Sequence, residues 1–268
     1  ILTGSQNFLF HKHISQSLSG RIALFTILPF SINELKAAHT SYTSPEAYMY
    51  TGMYPPIYDR AIAPALWYPN YVQTFIERDI RDLLRITQLS TFQVFVKLCA
   101  GRVGQILNLS SLARDCGITH NTARAWLSLL ETSYIVYLLR PYYQNFSKRL
   151  VKMPKLYFYD TGLVSSLLGI QSADQLTSHH LLGALFENFV LSEYIKYKTN
   201  TPSDVEYYYW RDKVGHEIDL LTETGSTISA IEIKSGKTIT TDYTKHLSFF
   251  QSIYTDTHRK LTSFVVYA

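Results

Sequence analysis

Residues 205–236 read VEYYYWRDKVGHEIDLLTETGSTISAIEIKSG. The stretch predicts three short strands joined by tight turns. Asp219 falls in the second strand, within HEIDLL, and Glu232 and Lys234 fall in the third, within AIEIKSG. In a strand, residues two apart share a face, so Glu232 and Lys234 point together while Ile231 and Ile233 turn to the core. Neighbouring strands then bring Asp219 and Glu232 to one sheet edge. Two carboxylates at such an edge suit Mg2+ or Mn2+, hard cations that take oxygen ligands. A cation held there activates water and neutralises charge on a phosphodiester. Lys234 is placed to orient the attacking water or to offset transition-state charge. The carbonyl of Ile233 is a further candidate ligand. Glu-x-Lys is a common tripeptide pattern, and on its own it describes a surface ion pair at a strand end.

The flanking sequence makes the pattern more specific. Helical spacing over 181–198 precedes the strands, and a helix over 241–254 and a last strand, SFVVYA, follow them. The predicted order over 181–268 is α-β-β-β-α-β. Glu187 sits inside the apolar side of the first helix, where a lone charge either faces water or turns into a site as a third carboxylate.

Upstream, residues 91–160 predict a helix-turn-helix with a wing. Three helices are expected, in TFQVFVKLCAGRVGQIL, in LNLSSLARDCGI (capped by Ser110 and closed by Gly117) and in THNTARAWLSLLETS, capped by Thr119. Two strands, YIVYLLRPY and KLYFYD, follow across the basic loop NFSKRLVKMP. In such a module the third helix enters a major groove with its N-terminal residues at base edges. Those residues are His120, Asn121 and Arg124, with Thr119 as a phosphate contact. Lys148, Arg149, Lys152 and Lys155 are expected on the nucleic-acid backbone. DNA is the expected partner, RNA is the alternative, and a winged helix used only for protein contacts is the plainer reading.

Residues 45–90 predict a Pro- and Tyr-rich loop, TGMYPPIYDR, and a helix, NYVQTFIERDIRDLLRI, whose apolar face carries Val72, Phe75, Ile76, Ile80, Leu83 and Leu84. Residues 1–40 read as strand, loop, helix and strand, then a helix start in INELKAAH, too few strands for a sheet of their own. Residues 161–180 predict a short helix and a polar linker with His179 and His180 at the surface. The composition, 46% hydrophobic over 268 residues, allows two or three small cores. Residues 91–160 hold nine Lys/Arg against three Asp/Glu, whereas residues 181–268 hold nine against eleven. A basic middle beside a mildly acidic end suits a polyanion-binding module next to a metal-binding one. No run of about 18 apolar residues is present, which argues against a membrane span. The two cysteines, Cys99 and Cys116, predict reduced core thiols of a cytoplasmic protein.

Taken in order, these motifs resemble the C-terminal two-thirds of a large group of bacterial and archaeal AAA-family ATPases that end in a domain of unknown function. ILTGSQNF with SLSGR is similar to the end of the ATPase core, and TGMYP to a Gly-Tyr-Pro-type loop. LNLSSLARDCGITHNTARAWLSLLETSYIVYLLRP with KRLVKMPKLYFYDTGL resembles the winged-helix section and linker. GALFENFVLSEY, YYYWRDKVGHEIDLL and AIEIKSG resemble a nuclease fold of the PD-(D/E)XK restriction-endonuclease type. The resemblance implies an α/β (α+β overall) chain: the end of an ATPase core at 1–44, a connecting helical segment at 45–90, a winged helix-turn-helix at 91–160, a linker at 161–180 and a nuclease-like domain at 181–268. It implies Ser5 or Gln6 as a sensor near the γ-phosphate of ATP, and Arg21 as a nucleotide contact that could reach across a subunit boundary of a homo-oligomer. It also implies Glu187, Asp219, Glu232 and Lys234 as the catalytic set, with Asp219 and Glu232 on the metal. The chain departs from the family in lacking GxxxxGK[ST] and the Walker B portion. It is therefore expected to be a piece of a longer protein and not to hydrolyse ATP alone. The competing expectation is a non-catalytic docking module that couples ATP hydrolysis in the parent to a protein partner.

Overall fold

The structure is a computed structural model and describes residues 23, 25–75, 89–142, 151–238 and 240–268. The chain is mixed α/β. Among the described residues its first half opens with α1 (Ile32–Ala37), α2 (Pro45–Thr51), α3 (Pro55–Asp59) and α4 (Pro64–Thr74). The last three each start with a proline in the first turn. This corrects the expectation of a loop across 51–60 and of a helix starting near Asn70. At the first helical position no N–H is needed and the fixed φ of proline already suits a helix, so these prolines open helices. Ser5, Gln6 and Arg21, and the helix face carrying Ile76, Ile80, Leu83 and Leu84, lie outside the described residues.

Next come α5 (Leu89–Ala100), α6 (Leu109–Asp115), α7 (His120–Thr132) and an antiparallel pair, β1 (Val136–Leu139) with β2 (Lys155–Phe158). Thr119 caps α7 as the sequence predicts, its hydroxyl accepting the N–H of Thr122 at 3.1 Å. The cap of α6 is Asn108 rather than Ser110; its Oδ1 accepts the N–H of Ser111 at 2.9 Å, and the helix starts correspondingly early. Gly117 closes that helix in the left-handed region at φ +69°, where a side chain would be strained. Trp126 of α7 packs edge-on against Phe92 and Phe95 of α5, with ring centroids 5.1 and 5.4 Å apart. Cys99 and Cys116 are free thiols buried in this cluster.

Asp160 anchors the segment after β2. It is buried and caps α8 (Thr161–Leu167), accepting the N–H of Leu163 at 2.7 Å. It also accepts the Tyr68 hydroxyl at 2.7 Å and the N–H of Met53 at 2.6 Å. Around it the chain closes so tightly that a Cβ on Gly162 would lie 2.6 Å from the Cα of Gly52. Thr161–Ser165 are buried as a result, so the polar linker expected at 161–180 begins as core and only then reaches α9 (Ala173–Leu176).

The second half is α10 (Leu182–Asn200), β3 (Glu206–Arg211), β4 (Glu217–Thr224), β5 (Thr227–Lys234), α11 (Asp242–Ile253) and β6 (Lys260–Tyr267), in the predicted α-β-β-β-α-β order. The sheet runs β3-β4-β5-β6, antiparallel except for the parallel β5–β6 pair. Leu185, Phe186 and Phe189 of α10 join Leu220, Ile231 and Ile233 in the larger apolar cluster. Leu247 and Phe250 of α11 join Ile218, Leu221, Ile228 and Ala230 in a smaller one on the other face.

The two halves are hydrogen-bonded together. The chain beyond β1 runs beside β3, with Tyr142 N–H on Tyr209 O at 2.7 Å and Tyr209 N–H on Arg140 O at 3.0 Å. Asn188 of α10 grips β2, its Oδ1 accepting Phe158 N–H at 2.7 Å and its Nδ2 donating to Phe158 O at 2.9 Å. The Asn188 side chain thus satisfies both backbone groups of a buried strand residue. Asn188→Leu keeps the volume but strands both groups. It is expected to lower the unfolding free energy by about 2–4 kcal/mol, read from urea melts with an unchanged m-value.

Candidate functional site

The site forms where the β4–β5 ladder stops. Pairing runs from Thr224↔Thr227 to Leu220↔Ile231. Just beyond it the Asp219 carboxylate, not a backbone carbonyl, accepts the N–H of Ile233 at 2.8 Å. On its other edge β4 carries a bulge, since Tyr208 pairs with Leu221 but Trp210 pairs with Ile218. Two steps on β3 oppose three on β4, and the extra residue lies at Asp219–Leu220. The bulge puts Ile218 and Leu221 together in the α11 cluster and sends Leu220 to the α10 cluster. Asp219 sits at this change of phase, open to partners from both faces.

On one side of Asp219 are Glu187 from α10 and Glu217 from β4. One carboxylate oxygen from each of the three lies within 4.8 Å of the others. Sequence pattern points to Glu187 as expected but passes over Glu217. Glu217 stands two residues before Asp219 in HEIDLL, and that i, i+2 spacing is the signal that could have found it.

Lys155 enters the same group. It was expected on the nucleic-acid backbone beside Lys148, Arg149 and Lys152, and the structure corrects this. Lys155 is 2% exposed, and its ammonium pairs with Glu187 Oε1 at 2.9 Å and with Glu217 Oε1. It also lies 5.6 Å from the centre of the Tyr209 ring. The physical reason is register: Lys155 is the first residue of β2, and that strand packs against α10. The Tyr157 hydroxyl bonds Glu187 as well, and Arg211 Nη1 meets Glu217 Oε2 at 2.8 Å.

On the other side of Asp219 are Glu232 and Lys234. By strand alternation they share the face of Ile228 and Ala230 beneath α11, so both faces of β5 are covered and Glu232 is only 1% exposed. Lys234 Nζ lies 3.2 Å from Glu232 Oε2 and 3.5 Å from Asp219 Oδ2. Glu232 Oε1 is buried and accepts no hydrogen bond from an N–H or hydroxyl donor. Of the two expected metal carboxylates, only Asp219 belongs to the three-carboxylate group; Glu232 meets it from the opposite face.

Burial and the neighbouring Asp219 push the Glu232 carboxyl up to about 9, so it carries a proton at neutral pH. Asp219 is held below the usual range despite burial, by the hydrogen bond from Glu232 and the charges of Lys155 and Lys234. Burial lifts Glu187 to about 7, against the opposing charge of Lys155. Burial disfavours the Lys155 ammonium, but Glu187, Glu217 and Asp219 outweigh it and keep that group charged.

Thr119, His120, Asn121 and Arg124 are all exposed at the start of α7, and Lys152 is exposed. The Thr119 hydroxyl is already engaged in its cap. Lys148 and Arg149 lie outside the described residues. No helix among the described residues is long and apolar enough to cross a membrane.

Comparison with known proteins divides the chain in two. Residues 43–174 match a domain of unknown function (DUF8612), and residues 182–268 match a second (DUF4143), which occurs in AAA-ATPase-associated proteins. The first match takes in the segment bound around Asp160 together with the α5–β2 region. The second begins at α10. The chain is similar to "Uncharacterized protein Rv2008c" of Mycobacterium tuberculosis (strain ATCC 25618 / H37Rv) and "Uncharacterized protein Mb2031c" of Mycobacterium bovis (strain ATCC BAA-935 / AF2122/97). Each is 30% identical over 225 residues, 84% of this chain and 49% of the relative. The chain belongs to the family of these proteins and spans about half the length of these curated relatives. No solved structure matches it.

The raised Glu232 pKa has a consequence for stability. Between the ordinary glutamate value, about 4.3 in the unfolded chain, and about 9 in the folded one, the native state binds more protons than the unfolded state. Stability from this group therefore falls as pH rises through that window. Glu232→Gln keeps a donor toward Asp219 without the charge. It is expected to flatten the slope and to gain about 1–2 kcal/mol over wild type at pH 8.5, with little gain at pH 5, in denaturant melts.

Proposed function

We propose that this chain is the C-terminal part of an AAA-family ATPase, with a DNA-binding winged helix at α5–β2 and a PD-(D/E)XK-type domain at α10–β6 that cleaves phosphodiesters with Mg2+ or Mn2+. The observation that carries the reading is the meeting of Glu187, Glu217, Asp219, Glu232 and Lys234 around one bulged strand. The donors fit the group: they are carboxylate oxygens, the ligand type that a hard divalent cation takes. Asp219 would hold the cation with Glu217 and Glu187 on one face or with Glu232 on the other. A bound divalent cation supplies charge neutralisation and a more acidic water. Lys234, beside both Asp219 and Glu232, positions the attacking water and stabilises charge developing on the phosphate. His120, Asn121 and Arg124 on α7 would meet the major groove, and Lys152 the phosphates.

Asp219→Ala and Lys234→Ala are each expected to cut Mg2+-dependent nicking of plasmid DNA by about a hundredfold or more. Their DNA affinity in gel shifts should not change. Arg124→Ala should do the reverse, weakening DNA binding while cleavage at saturating DNA persists. Purified protein that cuts no DNA or RNA of any topology with either cation would end the catalytic reading.

A docking module that couples ATP hydrolysis to a protein partner is the second reading. It is favoured by the burial of the site and by the ammonium of Lys155 already lodged among its carboxylates.

A further inference from the structure

We infer that Lys155 is an internal plug of the cation site: its ammonium holds the position between Glu187 and Glu217 that a divalent cation would take, and the two compete. The inference rests on the metal-site reading and concerns how that site is controlled.

Two observations carry it. The oxygens that bind Lys155 belong to the same carboxylates that form the ligand cluster, Glu187 and Glu217, with Asp219 adjoining. The cluster is therefore already shaped to hold a cation. Lys155 also comes from outside the sheet that builds the site. It is the first residue of β2, the return strand of the α5–β2 region, and Leu139 stands opposite it on β1. A carboxylate that gives both its charge and its geometry to an ammonium cannot also serve a metal at full strength. Removal of the ammonium leaves Glu187 and Glu217 short of a counter-ion and raises the appetite of the cluster for one.

The test is a calorimetric titration of Mn2+ into the whole chain, comparing wild type with Lys155→Met, Lys155→Gln and Lys155→Arg. Circular dichroism checks that each is folded. The expected result is that Met and Gln tighten Mn2+ binding about tenfold or more, on the scale of close charge-pair couplings. Lys155→Arg should stay near wild type, and adding Glu217→Gln to Lys155→Met should abolish the gain.

Should the neutral variants fail to fold, the wild-type protein supplies the second readout. The ammonium resonance of Lys155 in 15N-labelled protein should shift or vanish as Mg2+ saturates the site. Wild type that binds Mn2+ with an affinity unchanged or weakened by losing Lys155, or a Lys155 resonance unmoved at saturation, would overturn the plug and leave the metal reading standing. If neither wild type nor variants take up Mn2+, both fall together.

Discussion

A lysine buried among carboxylates is the contact on which the rest of this structure depends. Lys155 belongs to a strand of the helical half, Glu187 to the long helix after it, and Glu217 to the central sheet. One ammonium therefore joins three elements that are distant in sequence. Such a pair adds little net stability, because desolvating the charges costs nearly what their attraction returns. It does fix geometry, since any other arrangement leaves a charge buried alone. Asn188, the next residue after Glu187, repeats the join with neutral groups by bonding both backbone atoms of Phe158. The dipeptide Glu187-Asn188 thus sets the distance and register of β2 against α10.

The strand irregularity at Asp219 lies beside that clamp. A regular β4 would turn Asp219 wholly to one face. The bulge places it where Ile218 and Leu221 share the α11 face while Leu220 faces α10. An unpaired stretch of strand inside a sheet leaves backbone donors to be satisfied, and the Asp219 carboxylate takes one of them, the N–H of Ile233. The site's central acid is therefore a structural part of the sheet as well as a ligand candidate.

Much of this was legible in the sequence, in proportion to how local the signal was. The element order after residue 181, the Thr119 cap and the grouping of Asp219, Glu232 and Lys234 follow from alternation and spacing. Asp160 was not legible, because its partners Met53 and Tyr68 come from about a hundred residues away. The prolines at 55 and 56 misled because the same residue breaks a helix interior and opens a helix end. Lys155 misled for a different reason. Among Lys148, Arg149 and Lys152 it looks like one more charge of a basic loop, and only the packing of β2 on α10 separates a buried cation from an exposed one.

Charge balance connects these features. The site holds four carboxyls, Glu187, Glu217, Asp219 and Glu232, against the cations Lys155, Lys234 and Arg211. With a proton on Glu232 and Glu187 ionised the set is neutral. Exchange of that proton and the Lys155 ammonium for one divalent cation keeps it neutral, with Lys234 and Arg211 in place. A buried site tolerates such an exchange far better than a change in net charge, since an uncompensated charge in the interior carries a large solvation penalty. The composition of the cluster, four acids with two retained cations and one removable ammonium, is thus suited to two states of equal charge, one closed by the protein's own lysine and one by a metal.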